Sequence, residues 1–475
     1  MIALGSLSSS SNLPLARPKP MTRAATRRSV GTSDTIRTVK DVAGNQMTGT
    51  RSGVDAYDTA LRNLLSFRAT VGDDAQRACD ADPDAPMPAL LTAYLGLLSS
   101  EKSDAAAAGA KLHNAEHLRS NANKRELSHF RAAQQLVDGD LYGASTTITG
   151  INTEHPRDAL ALFVGHQLDF FTGASTRLES RVSAVLPHWS PSDDYLGYLE
   201  GMLAFGLEES GRYEEAIDVG RRAVERHRDD AWGIHAVTHV HEMRGEYDEG
   251  IDFLSSLKHH WHEGTFLNVH LAWHNALFLL EREDWGGALA LYDRFIRHAS
   301  SGNIALEMLD AAALLWRLRL EDVDVGNRWK VLADGWAAKQ DDPWYVFNDM
   351  HAVMAFVAAE RRTDALAVIQ RLERYVSGAS AGSNWHMTRL VGLPVCRAIV
   401  AHGDGDFVEA CRELEPVIGT LATFGGSHAQ RDVVHRTFID ALMRSGRTSA
   451  ARTLLNARIE ERPASVWSRR RLAKI

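Results

Sequence analysis

The chain has 475 residues, 53 of them basic and 61 acidic, and a net charge of −8 with neutral histidine. Hydrophobic residues make up 44% and charged residues 24%, which is ordinary for a globular protein and excludes a disordered chain. The mild acidity argues against nucleic acid as a partner, because that needs a basic face. No apolar stretch approaches the roughly 20 residues of a membrane span, so no membrane partner is expected. Cys79, Cys396 and Cys411 form no CxxC pair. A disulfide framework and a thiolate zinc site are therefore not expected, and a reducing, cytoplasmic setting fits.

Residues 1–38 read as a disordered leader. The first 40 residues hold a serine run, three prolines and seven basic residues against the single acid Asp34. That composition is superficially that of an organelle transit peptide, but Pro18 and Pro20 would break an amphipathic helix. A reading frame that starts at Met21 or Met47 would account for the segment equally well. Residues 39–475 read as one unit, with a loose break expected near 377–384, in the Gly/Ser-rich SGASAGSN. No proline occurs between Pro191 and Pro343, which suits continuous helix.

The motif GRYEEAI at Gly211 recurs as GEYDEGI at Gly245, a spacing of 34, the period of a tetratricopeptide helix–turn–helix. Looser copies begin at Gly139, Glu283, Gly405 and Gly446. The glycine suits a left-handed helix end. The alanine that follows (Ala144, Ala216, Ala288, Ala365, Ala410, Ala451) suits close approach of the paired helix. One helix pair cannot bury its own apolar face, so the expected fold is all-α, a TPR-like solenoid of antiparallel helix pairs.

Of 21 histidines, ten fall between His227 and His298. In AWGIHAVTHVHEMRG, helical spacing puts Trp232, His235, His239 and Glu242 on one side, opposite the apolar Ala236, Val237, Val240 and Met243. The next inner helix, NVHLAWHNALF, carries His270, Trp273 and His274; WYVFNDMHAVMAF carries Asn348, Asp349 and His351. His274 and His351 each precede their repeat alanine by 14 residues, so they hold equivalent positions. RELSHF adds Glu126 and His129, GLEES adds Glu208 and Glu209, and GGSHAQRDVVH adds His428, Arg431, Asp432 and His435. Gly425–Gly426 invites close backbone approach and Ser427 can cap a helix. Taken singly, each histidine is more often a core or surface residue with one hydrogen bond. The pattern is not HExxH, and GGSH is not GxSxG, so neither a zincin nor a nucleophile elbow is supported.

Motifs such as RELSH, GMLAFGLEESGRYEEA, DAWGIHAVTHVHEMRG, FNDMHAVMAF, GGSHAQRD and RPASVW, in this order across residues 40–475, resemble the tetratricopeptide-repeat protein 38 family. The resemblance implies a soluble helical-repeat protein and carries no settled activity. His241 departs from the apolar or glutamine-like residue more usual there, and the first 40 residues have no counterpart.

Two functions follow as expectations. In the first, His235, His239, His274, His351 and Glu242 act as acid–base groups in an internal pocket. Glu126, His129, Trp232, His270, Trp273, Asn348, Asp349, His428 and Arg431 would bind a small-molecule ligand there. No cofactor is assigned; a divalent metal on the histidines ranks below metal-free chemistry, because no known ligand spacing matches. In the second, the protein is a scaffold for a peptide or protein partner and performs no chemistry.

Overall fold

A computed structural model describes residues 38–298, 300–339, 342–378 and 382–475. The leader expected over 1–38 lies outside these residues except for Thr38, and the expected break near 377–384 lies partly outside them. The chain is all-α, as its repeats imply. Successive antiparallel pairs include Leu196–Glu209 with Tyr213–Arg226, Ala231–Arg244 with Tyr247–Ser256, and His428–Arg444 with Thr448–Glu461. Among the described residues, one short antiparallel hairpin, Thr38–Lys40 with Gln46–Thr48, is the only sheet.

The turn chemistry follows the repeat. Gly139, Gly211, Gly245, Gly405 and Gly446 are all left-handed, with φ between 74° and 80°. Glu283 and Glu360 take the same conformation without being glycine, at φ 61° and 60°, which costs each about 1–2 kcal/mol. All six repeat alanines are fully buried, because any larger side chain would drive the paired helices apart.

The coil winds tightly enough for its two halves to touch. Asn348 donates to the Ser100 carbonyl at 3.0 Å, the Ala305 N–H to Glu101 at 2.8 Å, and the Leu141 N–H to the Ser383 hydroxyl at 2.9 Å. Gly425, at φ +84°, lies where a Cβ would collide with the Phe171 carbonyl oxygen and the Tyr345 hydroxyl. That is the close approach expected of Gly425–Gly426, and Ser427 next to it caps helix His428–Arg444 in a reciprocal pair with Gln430. Two of the inner helices have almost no wet side. Every residue from Ala231 to Met243 and from Ala159 to Phe171 is buried. At these two helices the repeat is packed by protein on every side.

Burial on all sides means that polar groups there must satisfy one another. Asp158 accepts from Arg125 at 2.6 Å and pairs with His129 Nε2 at 3.0 Å, while its other oxygen caps Ala161 at 2.8 Å. Burial would raise the Asp158 carboxyl, but Arg125 and His129 outweigh it and hold the group far below the usual carboxylate range. His166 accepts from the Trp232 indole at 3.1 Å and so is neutral; burial, with a smaller push from Arg181, lowers it to about 3.

Two outcomes are expected. Asp158→Ala strands Arg125, 3% exposed, and should cost about 3–5 kcal/mol, read as a lower urea midpoint. For His166 the unfolded chain takes up a proton near pH 6.5 and the folded chain only near 3. Its contribution is therefore complete above about pH 6.5 and is lost progressively as pH falls toward 3. The slope of stability against pH between 6.5 and 5 should shrink in His166→Gln by up to about 1.4 kcal/mol per unit.

Candidate functional site

Three inner helices and the end of a fourth meet at one buried point. Asp230 caps helix Ala231–Arg244, accepting from the N–H groups of Trp232 and Gly233 at 3.1 and 3.0 Å, and sets its rotation. Helical spacing then aims His235, His239 and Glu242 inward together. Helix Asn268–Glu281 contributes His270 and His274, helix Ala305–Arg319 contributes Asp310, and helix Leu196–Glu209 ends on Glu208 and Glu209.

The imidazoles are in direct contact. His270 Nε2 lies 3.0 Å from His235 Nε2 and 3.2 Å from His274 Nε2. The far nitrogens of two rings are held by acids: His270 Nδ1 sits 2.7 Å from Asp310 and His274 Nδ1 2.9 Å from Glu242. His239 stands against His235 and His274, each with ring centroids 4.4 Å away, and its Nδ1 is 3.3 Å from Glu208. Among the described residues neither His239 nitrogen and neither Glu208 carboxylate oxygen has a hydrogen-bond partner, though all four atoms are buried. One nitrogen from each of His235, His239, His270 and His274 lies within 4.8 Å of the others, and Glu208, Glu209 and His239 form an adjoining group of three within the same distance. Indole rings wall the cluster. Trp273 stacks on His270 at 5.2 Å, and Trp232 tilts against His235 at 4.8 Å while stacking on Phe67.

Burial is the main cause of the imidazole shifts in the cluster. It lowers His235 and His270 far below the usual imidazole range and lowers His239 and His274 as well, so the rings are neutral. Burial would raise Glu242, but the hydrogen bond from His274 overrides it and holds the group at about 2. Glu242 is thus ionised, the His274 proton lies on Nδ1, and the Nε2 lone pair faces into the cluster. Burial, reinforced by Glu209, pushes Glu208 well up, and burial raises Asp310 to about 7.

The structure brings together His235, His239, His270, His274 and Glu242, with Trp232 and Trp273 as walls. His428 and Arg431 are close by: the His428 N–H donates to Glu209 at 2.8 Å, and Arg431 reaches the other Glu209 oxygen at 3.2 Å. Other expected residues lie elsewhere. His351 turns Nδ1 to its own backbone, the Phe347 carbonyl at 2.8 Å, and rests on the Phe347 ring. Its equivalence to His274 is one of repeat position alone, because helix Ala305–Arg319 lies between their two helices in the chain. Glu126 is occupied by Thr48 and the Asn123 N–H, each at 2.8 Å, and His129 belongs to the Asp158 network. Asn348 ties the coil shut at Ser100, and Asp349, raised to about 7 by burial, lines a small cavity beside it. Sequence reasoning missed Asp310. Its signal is a lone acid in the otherwise apolar run from Met308 to Trp316.

Among the described residues no helix is long and apolar enough to cross a membrane. No protein-family model matches the chain. Among solved structures the chain is similar to yeast Tom70, with 12% identity and a TM-score of 0.31 over 88% of this chain and 86% of that one. It is also similar to the Naa15/Naa10 assembly bound to HypK (12%, 0.24, covering 90% and 66%) and to the P58(IPK) TPR domain (13%, 0.22, covering 74% and 97%). The tetratricopeptide-like architecture stands on the helix pairs themselves.

Proposed function

We propose that the histidine cluster holds a divalent transition metal ion and that the protein uses it on a small molecule. The observation that carries this reading is the convergence of three Nε2 atoms at 3.0 and 3.2 Å, with acids behind two of the rings. A tetrahedral ion with Zn–N bonds of about 2.0–2.1 Å sets its nitrogens about 3.3 Å apart. Carboxylates on the far nitrogens are what orient imidazole lone pairs toward a metal. This reverses the ranking suggested by ligand spacing, because here the ligands come from two helices and no linear motif could display them. Neutral nitrogen ligands without thiolate suit zinc, iron, copper or nickel.

An ion held by His235, His270 and His274 would supply a Lewis acid and lower the pKa of a water at its open position. Glu208, with both oxygens free of hydrogen bonds, would be the nearby acid for proton exchange with that water once the ion's positive charge drew its raised carboxyl down. His239 stands between Glu208 and the other rings, as a fourth ligand or as the relay. Trp232 and Trp273 keep the site dry, which strengthens each charge interaction in it.

The alternative, a protein-binding scaffold without catalysis, draws on the repeat architecture, which usually presents extended surfaces. Helices Ala231–Arg244 and Ala159–Phe171 are buried here, so a partner would meet other surfaces of the coil. Metal content separates the two readings. Full-length protein incubated with zinc and desalted should retain about one ion per chain. His270→Ala and His274→Ala, checked for folding by circular dichroism, should retain little. Equal retention by wild type and both variants would sink the proposal. Glu242→Gln should keep the site but weaken its affinity about 10- to 100-fold, read by competition with a chromogenic chelator.

A further inference from the structure

A cavity of about 700 Å³ opens beside the histidine cluster, lined by the ends of helices Leu196–Glu209, His428–Arg444 and Thr448–Glu461. Glu209 is the shared wall. It lines the cavity, and its carboxylate lies within 4.8 Å of the ligating atoms of Glu208 and His239. Three guanidinium groups face this space, those of Arg431, Arg458 and Arg462.

The acids present do not use up these cations. Arg431 is paired with Glu209 at 3.2 Å and with the Gly426 carbonyl. Asp432 is spent twice, one oxygen on Arg458 at 2.6 Å and the other on Arg436 at 2.7 Å. Arg458 has only one donor engaged; its Nε and Nη2 are buried without a partner. Arg462 is 9% exposed, and among the described residues its side chain has no hydrogen bond or ion pair, although the charges of Asp432 and Glu242 offset its burial from a distance. Glu461, the remaining acid of the wall, is exposed to solvent. Buried guanidinium N–H groups without hydrogen-bond acceptors are costly, and the planar fork of donors matches an oxyanion in particular.

We infer that this cavity binds an oxyanion group, a carboxylate or a phosphate, through Arg462 and the free edge of Arg458. Its place against Glu209 makes it the recognition half of the proposed metal centre: the anionic end of the ligand is held by arginine, and the remainder is presented toward His239 and Glu208. That link rests on the metal reading, whereas the anion site itself does not.

The test measures thermal stabilisation of the full chain by inorganic phosphate and, separately, by acetate, at ionic strength held constant with chloride. It is run on wild type, Arg462→Met, Arg462→Lys and His270→Ala. Saturable stabilisation is expected with at least one anion. It should weaken about 10- to 100-fold in Arg462→Met, weaken less in Arg462→Lys, and persist in His270→Ala. A response to phosphate alone points to a phosphorylated ligand, and a response to acetate to a carboxylate. No saturable response in wild type, or an equal one in Arg462→Met and Arg462→Lys, overturns the inference. Zinc retention by Arg462→Met is measured in parallel. A wild type that binds anion but no metal defeats the metal reading and leaves the anion site standing.

Discussion

The burial of particular first helices on every side is the constraint on which everything else depends. Once helices such as Ala231–Arg244 are buried on every side, no polar side chain on them can turn to water. Each must find a protein partner, stay neutral or hold an ion. Asp158 and Asp432 take the first course, with arginines close enough to keep both carboxyls far below their usual range. His166 takes the second, accepting a hydrogen bond from an indole.

The histidine cluster fits neither of those courses completely. Two rings are anchored by acids, yet the anchoring turns lone pairs toward one another, and His239 and Glu208 have no hydrogen-bond partner among the described residues. Buried groups without partners are expensive, and a chain that keeps several side by side points to something that satisfies them together. The arginine wall at the neighbouring cavity has the same character with opposite charge. Glu209 lies between the two, shared by Arg431 and His428 on one side and close to His239 on the other.

Local features were readable in one dimension. The glycine and alanine of each repeat mark a left-handed turn and a close helix contact, and both depend only on residues a few positions away. His235, His239 and Glu242 could be placed on one face for the same reason, since 3.6 residues per turn is a property of a single helix. His351 shows where that reasoning stops. It shares a repeat position with His274, but repeat position does not say which neighbouring face a side chain meets, and it is bonded to its own helix.

By itself, then, the order of residues determined the all-α repeat, its turns, and the histidine-bearing faces of two adjacent helices, because these follow from hydrogen bonding and spacing within about 34 residues. Only the winding of the coil decided that Asp310 would stand behind His270, that Glu208 and Glu209 would close the cluster, and that Arg462 would face a cavity more than 200 residues along the chain from Glu209. Those pairings depend on the small rotation between successive helix pairs. It accumulates over the whole chain and is set by packing at every interface, so no short segment carries it.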